Sequence, residues 1–325
     1  MIEADYLTLW AGGVDLDVST PADPGVPYTF TVPIRDYRSG SFGDVDVVVS
    51  TSARYSMGGS FTRTHMSIPA EFRTTFTVAN STGLPMSITS ILDASDRLVD
   101  LITIAVQQPS DVRNIRFFVD VEDPDNLLEF EWWSGHVNPT EDAALDSRLR
   151  LNFQLDSVEL GDLLPSWHKL QQVANYGVLS VVSLIRESAT YYETQLLGVC
   201  GALEALHRGI SPEGMDYRDR CKALAAIPPD KARARVIPDI DTWAYQITKS
   251  RNDLAHGTEP ANRKIPEDDW YRLYEPTLAL LLLVILTNLG VSEEVQLRAL
   301  EIGPLNHAVR TARYAPLRRT PPPSL

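Results

Sequence analysis

The chain has 325 residues, of which 44% are hydrophobic and 22% charged, enough to form the cores of two ordinary globular domains. Its formal charge of −14 argues against general nucleic-acid binding, because clustered Lys and Arg residues supply most of the affinity for phosphate backbones. Residues 1–155 carry a net charge of −12 and residues 156–325 only −2, so a nucleic-acid site would more easily lie in the second half.

The N-terminal stretch and the cysteines favour a cytoplasmic protein with no membrane partner. The N-terminus is acidic where a signal peptide would be basic, and the longest apolar run, Leu278 to Leu286, is too short to span a bilayer. Cys200 and Cys221 belong to no CxxC pair, so both are expected to be reduced and buried.

The first half of the chain is predicted to be rich in β-strands. Short runs that alternate apolar and polar residues, separated by turn residues, are typical of half-buried antiparallel strands, and they lie at 28–32, 45–49, 72–78 and 115–121. The stretch Ser87 to Gln107 has apolar residues at near-helical spacing, which predicts a helix packed on the sheet. Residues 1–155 are therefore assigned to a β-rich domain.

From about residue 155 onward the pattern becomes helical. Helices are predicted at 163–184, 189–208, 217–226, 241–256 and 268–289. The run Leu278 to Leu289 is apolar on all sides, which is typical of a central buried helix. The fold class is thus α+β, with an all-α domain over residues 156–300 and a basic, proline-rich flexible tail over 301–325.

The segment 241–257 carries the residues with the clearest chemical character. Asp241 or Thr242 is a suitable N-cap and Gly257 a suitable residue after the C-cap, which predicts a helix of about four turns. On that helix Arg251 lies at the margin of the buried stripe, and about 140° separates it from His256. The two side chains can then meet one substrate only through a distorted last turn or a second copy of the domain, so a composite site in a dimer is favoured.

These residue types suit cleavage of RNA by internal attack. A histidine can take a proton from a 2′-hydroxyl group or give one to the leaving 5′-oxygen, while an arginine stabilises the developing phosphate charge. Asn252, four residues before His256 and on the same exposed side, is the expected orienting group. The six histidines form no HExxH motif and no Cys/His cluster, so neither a metal nor another cofactor is expected.

The string from Arg251 to Gly257 resembles the Arg-x4-6-His motif of HEPN domains. The helix 192–208, which contains Glu204, His207 and Arg208, is similar to the second HEPN helix of ApeA-type antiphage proteins, and the stretch 164–167 resembles the start of their first helix. The resemblance covers about residues 160–290. The β-rich half, through the run 72–121, also resembles the ApeA N-terminal domain, in a more diffuse way.

The resemblance implies a metal-independent endoribonuclease that halts growth on phage infection and acts as a homodimer. His256 would then be the general acid or base, Arg251 the phosphate stabiliser and Asn252 the orienting residue. Glu204 is an outer candidate that could bind Arg251 or tune His256. Candidate RNA-binding residues are Lys249, His207 and Arg208. The acidic first domain would act as a sensor for a phage-derived or protein trigger.

The sequence is also compatible with several alternatives. Asp253 places a negative charge beside the supposed phosphate site, which favours a non-catalytic HEPN module that binds RNA or a partner protein. Arg251 and His256 could instead merely cap a helix of a structural dimerisation protein. Glu204 could be only a surface partner of Arg208. Outside this region, Cys200 is expected to pack in the core. Trp132, Trp133 and His136 could form a recognition surface of the first domain, or they could pack in its core or at a domain interface.

Overall fold

A computed structural model describes residues 1–4, 7–11, 17–19, 29–31, 38–55, 60–61, 66–67, 70–119, 128–133, 151–187, 191–211, 214–259, 262–263, 265, 269–314 and 317. The strands are β1 (Ile2–Ala4), β2 (Asp17–Ser19), β3 (Thr29–Thr31), β4 (Arg38–Phe42), β5 (Val45–Tyr55), β6 (Ser60–Phe61), β7 (Met66–Ser67), β8 (Ala70–Asn80), β9 (Val112–Val119) and β10 (Leu128–Trp133). The helices are α1 (Leu7–Trp10), α2 (Ile88–Val106), α3 (Leu160–Arg186), α4 (Tyr192–Ile210), α5 (Tyr217–Ala225), α6 (Asp230–Val236), α7 (Ile240–Ala255), α8 (Trp270–Asn288), α9 (Glu293–Glu301) and α10 (Asn306–Tyr314).

The first half forms an antiparallel sheet with the strand order β10-β9-β1-β8-β5-β4. Its longest pair joins β5 to β8, in a register that runs from Val45 opposite Asn80 to Tyr55 opposite Ala70. Alternate valines of β5, such as Val47, are buried, because successive side chains of a strand point to opposite faces of the sheet. The predicted β-rich first half is confirmed.

The helix α2 confirms the prediction of a helix inserted between strands. It begins at the N-cap Ser87, whose Oγ accepts the backbone N–H of Ser90 at 3.1 Å and so satisfies one of the free donors of the first turn. Its buried residues, Leu98 and Leu101 among them, belong to the same core as the sheet residue Phe76. The helix therefore covers an apolar face that the sheet alone could not bury.

The two long helices α3 and α4 cross at very short range. A Cβ added to Gly177 would lie 2.4 Å from the Cα of Leu206, and one added to Gly209 would lie 2.4 Å from the Cα of Ala174. Ala174 itself has non-helical dihedral angles, which kink α3 at the crossing. Both glycines are needed because any larger residue would force the two backbones apart.

The predicted central helix is confirmed in α8, whose residues from Thr277 to Ile285 are all buried. The helix is long and apolar enough to cross a membrane, but 78% of its most apolar window is buried inside the protein. Such burial is typical of the core helix of a bundle. The neighbouring helices of the bundle pack around α8.

The core runs without a break across residue 155, which the sequence assigned as a domain boundary. The N–H of Leu155 donates to the carbonyl of Trp10 at 3.0 Å, and the start of α3 packs against β4, where a Cβ on Gly40 would lie 2.6 Å from the carbonyl oxygen of Leu160. The assignment of two separate domains stays a prediction.

The predicted flexible tail from residue 301 is wrong for residues 306–314, which form α10. Leu305, Ala308 and Val309 are buried, and α10 packs against α8 and α6. The apolar residues of α10 recur at helical spacing over only about two turns. The Arg and Pro content of the tail therefore led to the prediction of a flexible segment. Residues 318–325 lie outside the described residues.

Candidate active site

The helix α7 carries the predicted motif, and its N-cap lies two or three residues earlier than expected. The N-cap is Asp239, not Asp241 or Thr242, because Asp239 Oδ1 accepts the backbone N–H of Thr242 at 3.0 Å. Asp239 Oδ2 also accepts the Thr242 hydroxyl at 2.8 Å. On the buried face, Trp243 Nε1 donates to Thr277 Oγ1 on α8 at 2.9 Å, which fixes the rotation of the helix about its own axis.

The end of α7 holds His256 in a defined place. Gly257 has a φ of +61°, and the N–H of Thr258 donates to the Asp253 carbonyl at 2.9 Å while the N–H of Gly257 donates to the Leu254 carbonyl at 3.2 Å. This pair of bonds is the Schellman motif, which closes a helix with a left-handed residue, as the sequence predicted for Gly257. His256 is the C-cap residue, and its side chain is exposed.

Arg251 turns toward α4 and α5. Its Nη2 lies 3.6 Å from Oε2 of Glu204, and its guanidinium carbon lies 5.3 Å from the centroid of the Tyr217 ring. Its Nη1 donates to Oδ1 of Asn252 at 3.2 Å. With 36% of its side chain exposed, Arg251 is held by three neighbours and still reaches the surface.

Glu204 is the centre of a charge cluster that links three helices. Besides Arg251 on α7, its carboxylate contacts Arg208 on α4 at 2.7 Å and Arg220 on α5 at 3.9 Å. Both sequence interpretations of Glu204 are therefore realised at once: it pairs with Arg208 along its own helix and with Arg251 across the helix pair. Three guanidinium groups share one carboxylate, so the cluster keeps an excess of positive charge.

Tyr217 and Arg220 are members of this cluster that the sequence analysis missed. They lie at i and i+3 on α5, so they share one helix face. That spacing is the feature of the sequence from which their proximity could have been predicted. The Tyr217 hydroxyl donates to the Cys200 carbonyl at 3.2 Å, and burial raises the pKa of Tyr217 well above its ordinary value. The ring is thus a neutral, rigid platform beneath Arg251.

Cys200 takes no part in the chemistry of this region. It is buried in α4, as predicted, and burial raises the pKa of its thiol to about 12. A thiol of that pKa stays protonated at neutral pH, so it is a poor nucleophile.

Asn252 does not have the partner that the sequence predicted. Its carboxamide oxygen accepts from Arg251, and among the described contacts it makes none with the imidazole of His256. The backbone carbonyl of Asn252 accepts the N–H of His256 at 3.0 Å, as in any helix. Asn252 therefore positions the guanidinium, and the i to i+4 side-chain pair that periodicity suggested is not formed.

The three predicted RNA-binding residues differ in accessibility. Arg208 is 65% exposed, and Lys249 is half-buried with its ammonium 5.7 Å from the centroid of the Tyr245 ring. His207 is only 1% exposed, so its prediction as an RNA contact is wrong. Its position on α4, beside the buried Leu206, faces the core instead of solvent.

Two further sequence predictions concern recognition and metal binding. Trp132 on β10 is 45% exposed, while the side chain of Trp133 and the whole of His136 lie outside the described residues. In the part of the chain that the structure describes, no three His, Cys, Asp or Glu side chains come together as a metal site would require.

A known protein family matches the part of the chain that contains this cluster. Residues 197–295 match the family model described as Apea-like HEPN, a range that contains Glu204, Arg251 and His256. No curated protein and no solved structure matches the chain. The match confirms the resemblance drawn from the motif, and it does not extend to the β-rich half or to α3.

Proposed function

We propose that this chain, which contains an Apea-like HEPN domain over residues 197–295, cleaves RNA through Arg251 and His256. The observation that carries the proposal is the end of α7. There the Schellman motif holds His256 in solvent, and Arg251 reaches the surface one turn earlier from a cluster with excess positive charge. A proton-transfer group and a phosphate-binding group thus stand on one rigid element.

In the proposed reaction the 2′-oxygen of a ribose attacks the adjacent phosphorus, and the bond to the 5′-oxygen breaks. Imidazole can accept the 2′-hydroxyl proton or donate a proton to the departing 5′-oxygen, and His256 is exposed to do either. The products are a 2′,3′-cyclic phosphate and a free 5′-hydroxyl group. All atoms of the two products come from the RNA strand, so the step needs no attacking water.

Arg251 would stabilise the charge that develops on the phosphate oxygens. A guanidinium group offers several parallel donors that match a phosphate, and Asn252 and Tyr217 hold this one in a fixed orientation. Glu204 competes for the same donors at 3.6 Å, a distance longer than a tight ion pair. A phosphate could therefore displace this contact while Glu204 keeps Arg208.

The site would be completed by a second copy of the chain. Arg251 lies within α7 and His256 is its C-cap residue, five positions later, which corresponds to a separation of about 140° around an ideal helix. Arg251 turns toward Glu204 of α4 and Tyr217 of α5. One protomer would supply the arginine and its partner the histidine at each scissile phosphate.

The test is cleavage of a mixture of tRNA and mRNA in EDTA by the purified chain and by single variants. We expect cleavage to persist in EDTA and to fall by at least about a hundredfold in Arg251→Ala and in His256→Ala. Matched controls are Arg298→Ala on α9 and His307→Ala on α10, both exposed and outside the cluster. Cleavage that survives both site substitutions would refute the assignment.

A second candidate function is a non-catalytic module that binds RNA or a partner protein. The pairing of Arg251 with Glu204, together with the negative charge of Asp253 beside it, favours this alternative. It predicts RNA binding or partner binding that depends on Arg251, with no cleavage products under any condition. The EDTA experiment separates the two functions when binding and cleavage are followed on the same RNA.

The proposed biological role is defence against phage by RNA cleavage. In that role the β-rich half would sense a phage-derived or protein trigger and the helical half would cut RNA. The shared core at residues 151–155 gives a physical link, because Leu155 is hydrogen-bonded to Trp10 and lies five residues before α3. A change at the sheet could therefore reach the helices.

A further inference from the structure

A cavity of about 440 Å³ lies between α6, α9 and α10, and none of its lining residues belongs to the proposed active site. It is lined by Arg235, Leu300, Glu301, Asn306, Val309, Arg310 and Arg313, and we call it the arginine cavity. Its volume is within the range of small-molecule sites. Since α6 ends just before α7 begins, the cavity lies toward the end of α7 opposite His256, and that 16-residue helix is about 24 Å long.

The charge of the arginine cavity is strongly one-sided. Three guanidinium groups line it against one carboxylate, that of Glu301, which already pairs with Arg235 at 3.2 Å. Among the described residues, Arg310 and Arg313 have no carboxylate partner. Like charges gathered around a concave surface repel one another, and the cavity concentrates their field on an anion.

The sequence around the cavity has the same bias. Residues 302–325 contain four arginines and no Asp or Glu, in a chain with a net charge of −14. Two of these arginines, Arg310 and Arg313, lie at i and i+3 on α10 and so point to the same side of the helix. The buried Ala308 and Val309 anchor α10, which presents both guanidinium groups from a fixed support.

The floor of the cavity is apolar and its rim is cationic. Leu300 is 1% exposed and Val309 7%, so both form part of the core at the base of the cavity. Guanidinium groups bind phosphate oxygens in pairs of parallel hydrogen bonds, and an apolar floor suits the flat face of a base. The two features together fit a nucleotide better than a bare anion.

We propose that the arginine cavity binds the phosphate group of a nucleotide through Arg310 and Arg313. The phosphate can come from a free nucleotide or from an RNA strand. This inference goes beyond the proposed cleavage, and binding alone tests it, so its outcome does not depend on whether the chain cuts RNA.

The experiment is calorimetric titration of the full chain carrying His256→Ala, which prevents loss of the RNA probe. The ligands are adenosine 5′-monophosphate, hexaadenylate and, as a phosphate-free control, adenosine. We expect saturable binding of at least one phosphorylated probe, no binding of adenosine, and a loss of affinity of about tenfold or more in the double variant Arg310→Ala/Arg313→Ala. Arg298→Ala, an exposed arginine of α9 outside the cavity, should bind like the parent.

Two results identify the source of the phosphate, and two overturn the proposal. Arginine-dependent binding of the mononucleotide indicates a free nucleotide, and arginine-dependent binding of hexaadenylate alone indicates an RNA strand. The proposal fails if neither probe binds, or if the double variant binds both as tightly as the parent. Thermal unfolding of each variant checks that the exposed substitutions leave the fold intact.

Discussion

At the scale of single residues, Glu204 decides how much positive charge the candidate active site presents. Its carboxylate contacts three arginines and is 25% exposed, so each pair is partly screened by water and contributes at most about 1 kcal/mol. Glu204 therefore contributes little to stability. Its main effect is to compete with a phosphate for the guanidinium groups of the cluster.

Glu204→Gln keeps the shape of the side chain and removes its charge. We expect the free energy of unfolding in urea to fall by about 1 kcal/mol and the affinity for a short RNA to rise several-fold, because the three guanidinium groups lose their internal competitor. Binding is measured in the His256→Ala background so that the RNA stays intact. Glu159→Gln, an exposed glutamate at the start of α3, serves as the control. Unchanged RNA affinity in Glu204→Gln would argue against Arg251 as a phosphate ligand.

At the scale of elements, the crossing of α3 and α4 positions the carboxylate that faces Arg251. The contact depends on Gly177, because a methyl group there would lie 2.4 Å from the Leu206 backbone, two residues from Glu204. Gly201 lies on the same helix α4, and a methyl group there would meet nothing within 4 Å. The substitution of alanine for glycine can therefore be compared at a crowded position, Gly177, and at an open one, Gly201.

We expect Gly177→Ala to lower the free energy of unfolding by about 1–3 kcal/mol, since the helices must separate. Gly201→Ala should raise it by about 0.5–1 kcal/mol, because alanine is favoured over glycine inside a helix. Urea denaturation of the two variants and the parent measures both values. Equal stability of the two variants would mean that the close crossing is not a feature of the folded chain.

A second element contact gives the protein a pH-dependent stability. Asp100 of α2 pairs with Arg186 of α3 at 3.0 Å, yet burial outweighs that partner and raises the pKa of Asp100 to about 6. In the unfolded chain the pKa of an aspartate is about 3.9, so between these values the folded state binds the proton more tightly. Stability from this group is therefore greatest below about pH 4 and decreases as the pH rises toward 6.

Asp100→Asn should remove this component. We expect the decrease in unfolding free energy between pH 4 and pH 6 to be smaller in the variant than in the parent by on the order of 2 kcal/mol. The comparison is made by urea denaturation across the pH range, with the exposed Asp162→Asn as control. Parallel pH profiles for parent and Asp100→Asn would show that the carboxyl group does not titrate in this window.

Across the whole molecule, the elements predicted from the sequence are those with long periodic patterns and recognisable capping residues. The helix α2 begins at Ser87 and α7 ends before Gly257 as expected, because capping residues act locally. Among the helices of seven to nine residues, α5 was predicted and α6, α9 and α10 were not, because so short a segment contains only about two turns of the helical repeat.

The candidate site was predictable only as far as single-helix geometry allows. Arg251 and His256 were found because both lie on one helix with a recognisable end. The burial of His207 and the contact of Arg251 with the Tyr217 ring follow from how α4, α5 and α7 pack together, and no pattern within one helix contains that information. The sequence analysis placed the N-cap at Asp241 or Thr242 and missed Asp239, because Asp and Thr residues at all three positions can act as caps.

We propose that each active site combines Arg251 of one protomer with His256 of its partner, and a mixing experiment tests this arrangement. Arg251→Ala and His256→Ala chains, each inactive alone, are co-expressed and the mixed dimer is purified through two different affinity tags. The proposed geometry predicts that the mixed dimer regains RNA cleavage, because one of its two sites contains both intact residues. A mixed dimer as inactive as its parents would contradict a site shared between two chains.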